Sequence, residues 1–253
     1  MIAEPLAYGD SFLHRIDPRL RILAATFFSC AVAVFHAFAA LIAASLAALA
    51  LLFLSGLEFR EIGRRLAVVI GFLLLLWCLL PLTYEGDVVG RFGPLLFYRP
   101  GILLSAKITL KSVAIIAVFT ALVATIPINT LGQSLARLRV PAKLVYLLLM
   151  CYRYIFVIEQ EYCRLIAAMK IRGFRPRTNL HTYRSYAYLV GMLFVRAATR
   201  ADRVYQAMRC RGFNGRFHSL ATFPTRPSNL WFALVAASVM MALFWLEWVG
   251  WGF

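Results

Sequence analysis

LWFALVAASVMMALFWLEWV, residues 230–249, is a clean hydrophobic run with Trp231, Trp245, Trp248 and Trp251 near its ends. A helix needs about 20 apolar residues to cross about 30 Å of hydrocarbon. Tryptophans at both ends suit the two membrane–water interfaces. Working towards the N-terminus, four more runs read the same way. Residues 20–35 and 39–54 suggest two hydrophobic helices in a tight hairpin, with His36 in the short connection. Residues 58–65 (EFREIGRR) are a charged break, and 66–82 form a third run ending at Pro81. A loop with turn signals at Gly86, Gly90, Gly93 and Pro94 leads to a fourth, 102–126. Lys107 and Lys111 lie near the start of that run, where snorkelling to the interface accounts for them.

Composition agrees. Of 253 residues, 62% are hydrophobic, where a soluble domain holds about 45–50%. Mean hydropathy is +0.77. The formal net charge is nonetheless +16, which suggests spans joined by cationic segments. Nucleic-acid binding is disfavoured because the charges fall between long apolar runs. Cys30, Cys78, Cys151, Cys163 and Cys210 form no CxxC pair and read as small core hydrophobes. The first residues, MIAEPLAYGDSFLHRID, carry acids and no apolar signal core, so the first run reads as a span that stays.

After Pro127 the character changes. Residues 137–216 hold sixteen Lys/Arg against Glu159, Glu161 and Asp202. Two short apolar patches, 144–152 and 188–195, fit amphipathic helices in or under the interface. The positive-inside rule puts 58–65 and 137–216 in the cytoplasm. Counting spans then puts the N-terminus inside, in agreement with Arg15, Arg19 and Arg21, and the C-terminus outside. The fold class is therefore all-α: a polytopic integral membrane protein of about five transmembrane helices plus cytoplasmic or interfacial amphipathic helices. The divisions are 1–126, 127–228 and 229–253.

One heptapeptide occurs twice. Residues 168–174 read AMKIRGF and residues 207–213 read AMRCRGF, with five of seven positions identical and Lys/Arg exchanged at a sixth. Two copies are too few for a solenoid; they suggest two similar helices presenting one feature twice. Ala168-Met169 and Ala207-Met208 lie in the last helical turn, where Lys170 and Arg209 complement the helix dipole. Gly173 and Gly212 fall where a helix C-terminus favours glycine. Arg172 and Arg211 then sit at the helix end, each beside an apolar anchor, Phe174 or Phe213. Arginine plus an aromatic at a protruding tip is typical of interface hot spots. For one copy, a cap touching lipid phosphate reads equally well; two matching copies favour a twofold partner. Arg196, Arg200 and Arg203, at i, i+4 and i+7, share one face and read as solvated or headgroup-facing, with Met192, Val195, Thr199 and Val204 elsewhere on the helix.

The pair of motifs resembles the two Arg-Gly motifs of the transmembrane T component (EcfT/CbiQ family) of energy-coupling factor (ECF) ABC transporters. HRIDPRLR (14–21) is similar to the family's His-x-x-Asp-Pro-Arg pattern, and RVYQAMRCRGF (203–213) looks more like the cobalt/nickel CbiQ-type subgroup than the vitamin subgroup. The resemblance covers nearly the whole chain. It implies two cytoplasmic ABC ATPase subunits, each receiving one coupling-helix tip. It also implies a CbiM-like substrate-binding membrane subunit and a small accessory membrane subunit, all in the bacterial inner membrane. ATP and Mg would be bound by the ATPases, with no cofactor in this chain. Ile171-Arg172-Gly173 and Cys210-Arg211-Gly212 correspond to the family's X-Arg-X motif; Ile171 and Cys210 stand where many relatives have alanine. The cargo implied is cobalt or nickel, with a vitamin as the alternative.

Other classes find less support. There is no Walker A loop, no HExxH, and no carboxylate pair within helical reach in a span. His14, His36, His181 and His218 are far apart, so they read as structural rather than metal ligands; His14 would cap or orient a first helix beginning at Asp17-Pro18. A lipid-modifying enzyme would need a carboxylate or His cluster at membrane depth, and a carrier would need ionisable groups along a pathway.

Overall fold

The computed structural model describes residues 16–56, 59–83, 88–92, 95–214 and 227–251. His14, Arg15, Glu58, Gly86, Gly93, Pro94 and His218 lie outside the described residues. In chain order come α1 (Pro18–Val34), α2 (Phe38–Leu54), α3 (Phe59–Thr83), β1 (Val88–Phe92), β2 (Leu95–Tyr98) and α4 (Arg99–Leu122). Then follow α5 (Ile128–Arg137), α6 (Ala142–Ile171), α7 (Leu180–Cys210) and α8 (Pro227–Trp251). The chain is an all-α membrane protein whose described strands form a single small antiparallel hairpin. Two compact units divide it: residues 4–127 with 222–253, and residues 128–221.

In the first unit α4 is central. It packs against α1, α2 and α3, while α8 packs on α2 and α1. The contact faces mix small and large residues: Ala25 and Ala31 on α1, Ala40, Ala44 and Ala48 on α2, and Ala114, Ala117 and Ala121 on α4 are buried together with Phe28, Phe35, Leu41 and Leu122. Large apolar side chains point outwards instead, among them Phe27, Leu46, Phe53, Phe72 and Trp245. The bilayer explains the outward-facing set. Lipid tails solvate leucine and phenylalanine as well as a protein interior does, so helices associate through close backbone approach over small residues. By length and apolar composition α4 and Ser228–Gly250 of α8 are long enough to cross a membrane; Phe38–Leu54 and Val69–Pro81 are shorter apolar stretches.

Several expectations change. α1 and α2 do not form a tight hairpin; each lies chiefly against α4. Phe35 and Ala37 in their connection are extended, and three extended residues reach about 10 Å, about a helix diameter. The break expected at 58–65 is helical from Phe59 onward, as the first turns of α3. Pro81 does not end α3, which continues to Thr83. Gly101 of α4 meets α3 there: a Cβ would lie 2.6 Å from the Leu80 carbonyl oxygen, so only glycine fits. The described cysteines are free and exposed rather than core residues; for Cys30 and Cys78, in the apolar helices, a lipid-facing surface accepts a small apolar side chain as readily as a core does.

The polar groups of this unit are tied to helix ends. Asp17 caps α1, accepting from the Arg19 N–H at 3.0 Å, with Pro18 at the first helical position. The Asp17 N–H donates to Asn229 Oδ1 at 3.1 Å, joining the starts of α1 and α8. α2 lacks a side-chain cap of its own. Glu247 of α8 supplies one, accepting from the His36 N–H at 2.7 Å and the Ala37 N–H at 3.1 Å. Lys111 does not snorkel away: its ammonium donates to the Ala33 carbonyl at 2.7 Å, at the C-terminus of α1, while Lys107 sits 5.1 Å over the Phe38 ring. Both helix ends at the 35–37 connection thus receive the charge that opposes their dipole. Arg21 is buried, and its guanidinium donates to Thr125, whose hydroxyl in turn donates to the Ala121 carbonyl.

This packing has a measurable consequence. Ala44→Leu places a large side chain into a fully buried contact and should cost about 1–3 kcal/mol, lowering the melting temperature in mild detergent. Leu46→Ala, on the exposed side of the same helix, should leave it within error.

Candidate functional site

The second unit holds the repeated heptapeptide. Its apolar patches are not short elements: each belongs to a helix of 30 or 31 residues, α6 and α7, about 45 Å long. Both helices end inside the repeat. α6 closes with the Phe174 N–H donating to the Met169 carbonyl at 3.1 Å and the Gly173 N–H to Lys170 at 3.0 Å. α7 closes with Phe213 to Met208 at 3.1 Å and Gly212 to Arg209 at 3.0 Å. These two bonds, 6→1 and 5→2, define the Schellman motif. It requires a left-handed residue just past the helix, and Gly173 and Gly212 have φ of +80° and +79°.

Four of the five letters shared by the two copies, all but the alanine, have a place in this cap. Methionine is the third residue from the end, glycine the left-handed residue, and phenylalanine the residue after it, the pair of apolar sites that such a cap brings together. Burial repeats with the same order. Met169, Phe174, Met208 and Phe213 are half-buried; Ala168, Ile171, Arg172, Gly173, Ala207, Cys210, Arg211 and Gly212 are exposed. Arg172 and Arg211 are the helix C-caps, with φ/ψ of −78°/10° and −91°/11°. Neither guanidinium has an ion-pair or hydrogen-bond partner among the described residues. Each tip is thus a rigid, glycine-locked corner offering one free guanidinium fork beside an aromatic foot. Phe174 rests against Tyr186 (5.8 Å between centroids, edge-on) and His181 (6.3 Å), and Phe213 against Tyr146 (6.2 Å).

The supports behind the tips were not evident in the sequence. Glu161 on α6 is hydrogen-bonded to Arg196 on α7 and lies 3.6 Å from Arg164. Arg196 links the two helices while its side chain stays 49% exposed, as expected of a solvated face; Thr199 and Val204 line the same groove as the arginines rather than another face. The Arg196 hydrogen bond, with the neighbouring charges of Arg164 and Arg200, holds the Glu161 carboxyl below its ordinary range. Glu161 was legible only as one of three acids among sixteen bases. The short α5 was also unforeseen; its Gly132 packs so closely on Leu149 of α6 that a Cβ would come within 2.6 Å. No group of three His, Cys, Asp or Glu able to hold a metal occurs among the described residues.

Comparison with known proteins places this all-α membrane protein among transport components rather than enzymes. The profile of the CbiQ family, described as "Cobalt transport protein", matches residues 9–222, and the chain belongs to that family. It is similar to the energy-coupling factor transporter transmembrane protein EcfT of Thermosediminibacter oceani, 27% identical over 82% of each chain. It is 28% identical to the cobalt transport protein CbiQ of Rhodobacter capsulatus over 54% of this chain and 59% of that one. Nickel permease LarQ of Lactiplantibacillus plantarum is 31% identical over 37% of this chain and 33% of its own.

Two outcomes test the tip geometry. Nothing lies within 4 Å of where a Cβ would sit on Gly173 or Gly212, so alanine there costs only its left-handed conformation, about 1–2 kcal/mol. Gly173→Ala and Gly212→Ala should speed amide exchange in the last turn of their own helix by about 5–30-fold and leave the other helix unchanged. For Glu161 the folded pKa is depressed, so its contribution is complete above the ordinary value of 4.5 and fades as pH falls through the lower folded value. The melting-temperature gap between wild type and Glu161→Gln should be constant from pH 8 to about 5 and close below that.

Proposed function

We propose that the chain is the energy-coupling transmembrane subunit of an ECF-type ABC importer in the bacterial inner membrane, multi-pass with its N-terminus in the cytoplasm. The observation that carries this reading is the same glycine-locked arginine tip built twice, with matching hydrogen bonds, φ angles and burial. Two equivalent tips suit a partner that offers two equivalent sockets. Residues 127–228 act as the coupling domain, and two ABC ATPase subunits, which bind ATP and Mg, each receive one tip. Arg172 and Arg211 supply bidentate donors to carboxylates or carbonyls in the socket, and Phe174 and Phe213 fix the angle at which they are presented.

ATP binding draws the two ATPases, and hence the two tips, together. Long helices carry that movement as a rigid-body transition to a CbiM-like substrate-binding membrane subunit, with a small accessory membrane subunit and lipid completing the assembly. The chain needs no catalytic residue for this role. Cobalt or nickel is the cargo favoured, because relatives named for cobalt and nickel transport are among those matched. A vitamin is the second reading, since a relative named for energy coupling without a metal aligns over more of the chain than the one named for cobalt.

Co-expression with the ATPases encoded beside it and purification in mild detergent test the proposal. Wild type should retain the ATPases, Arg172→Glu or Arg211→Glu should weaken retention at least tenfold, and the double reversal should abolish it. Equal recovery in all four, with folded protein throughout, would overturn it.

A further inference from the structure

The two tips match, but the helices behind them do not. Thirty-nine residues separate the copies, so Arg196, Arg200 and Arg203 of α7 correspond to Val157, Glu161 and Arg164 of α6. Over the eleven residues before each motif, α7 has three arginines and one acid, Asp202. α6 has one arginine and two acids, Glu159 and Glu161. The flank of the second tip is basic, and that of the first is not.

The basic flank has a defined shape. Glu161, Arg196, Thr199, Arg200, Arg203, Val204 and Ala207 line an open surface cavity of about 480 Å³, and all but Glu161 and Val204 are exposed. Its one carboxylate is committed to Arg196. Arg200 and Arg203 are exposed and have no ion-pair or hydrogen-bond partner among the described residues. The Thr199 hydroxyl donates to the Val195 carbonyl, so every remaining donor in the cavity is a guanidinium. Ala207, the first residue of the second heptapeptide, forms one wall. Arg203 stands eight residues before Arg211, about 12 Å along the helix, within reach of whatever surface seats that tip.

We propose that this cavity is a second docking point, used by the α7 tip alone, which receives a carboxylate-bearing segment of the ATPase subunit seated there; the proposal rests on the coupling reading above. Arg200 and Arg203 bind the incoming carboxylates, while Arg196 remains the strut to Glu161. The two tips are consequently not interchangeable. The α7 tip selects the more acidic ATPase surface, and in an ATPase pair of two different subunits this charge difference assigns which subunit takes which tip. Like-charge repulsion would disfavour the reverse assignment, since Glu159 lies exposed in the corresponding stretch of α6.

The test uses the full chain captured with its ATPases at 50, 150 and 400 mM salt, alongside the Arg172→Glu/Arg211→Glu double variant. Arg200→Gln/Arg203→Gln should weaken ATPase binding about tenfold at the lowest salt and flatten its salt dependence. Arg200→Lys/Arg203→Lys should restore most of the binding, and Arg164→Gln, which neighbours Glu161 but does not line the cavity, should cost far less. Far-UV circular dichroism checks that each variant is folded. Unchanged affinity and salt dependence in the glutamine pair would overturn the proposal while leaving the tips in place. An equal loss from Arg164→Gln would overturn the asymmetry. Unchanged ATPase binding, with loss of binding to phosphatidylglycerol vesicles but not to phosphatidylcholine ones, would make the cavity a lipid-headgroup site instead. If the double tip reversal leaves capture intact, the coupling reading falls and the flank proposal with it.

Discussion

Close packing of α1, α2 and α3 on α4, over faces rich in alanine, is the constraint on which the first unit depends. In water, burying leucine and phenylalanine would drive helices together. In a bilayer that drive is absent between helices, and dispersion contacts between closely approached backbones take over. Ala44, Ala48, Ala114, Ala117 and Ala121 allow that approach, and Gly101 allows it at the bend carrying Pro81. Phe27, Leu46 and Trp245 are left for the lipid.

Once the helices are that close, their ends lie near one another and polar groups must be satisfied without water. Three side chains do this. Glu247 meets the start of α2, Lys111 the end of α1, and Asn229 the residue before α1. Arg21, holding Thr125, pins the turn after α4 just before the chain leaves for the second unit. A charged side chain in a span reads as a candidate for transport chemistry; here Lys111 and Glu247 serve backbone termini.

In the second unit precision is concentrated where the helices stop. Surface arginines are mobile, and an exposed ion pair contributes little. Arg172 and Arg211 acquire direction from the backbone instead, since the left-handed glycine and its two reverse hydrogen bonds fix the corner from which each guanidinium projects. Fixing the corner before a partner arrives lowers the ordering cost of binding. The half-exposed Glu161–Arg196 pair links the two helices that carry the corners and adds little to stability.

What the sequence determined by itself was everything that depends on local chemistry: the apolar runs, the Asp17-Pro18 helix start, and above all the heptapeptide. A Schellman cap needs only a glycine, two apolar neighbours and the preceding turn, so it is written in seven contiguous letters. Tertiary structure decided the rest. That α4 rather than the α1–α2 pair is central, that the cysteines face outwards, that Lys111 turns inwards and that Glu247 caps a helix some 210 residues away all depend on which faces meet. Nearly uniform apolar helices carry no amphipathic stripe to announce those faces. Arg196 and Glu161 lie 35 residues apart on different helices, so their pairing, and the surplus charge it leaves on Arg200 and Arg203, appeared only when α6 and α7 were laid side by side.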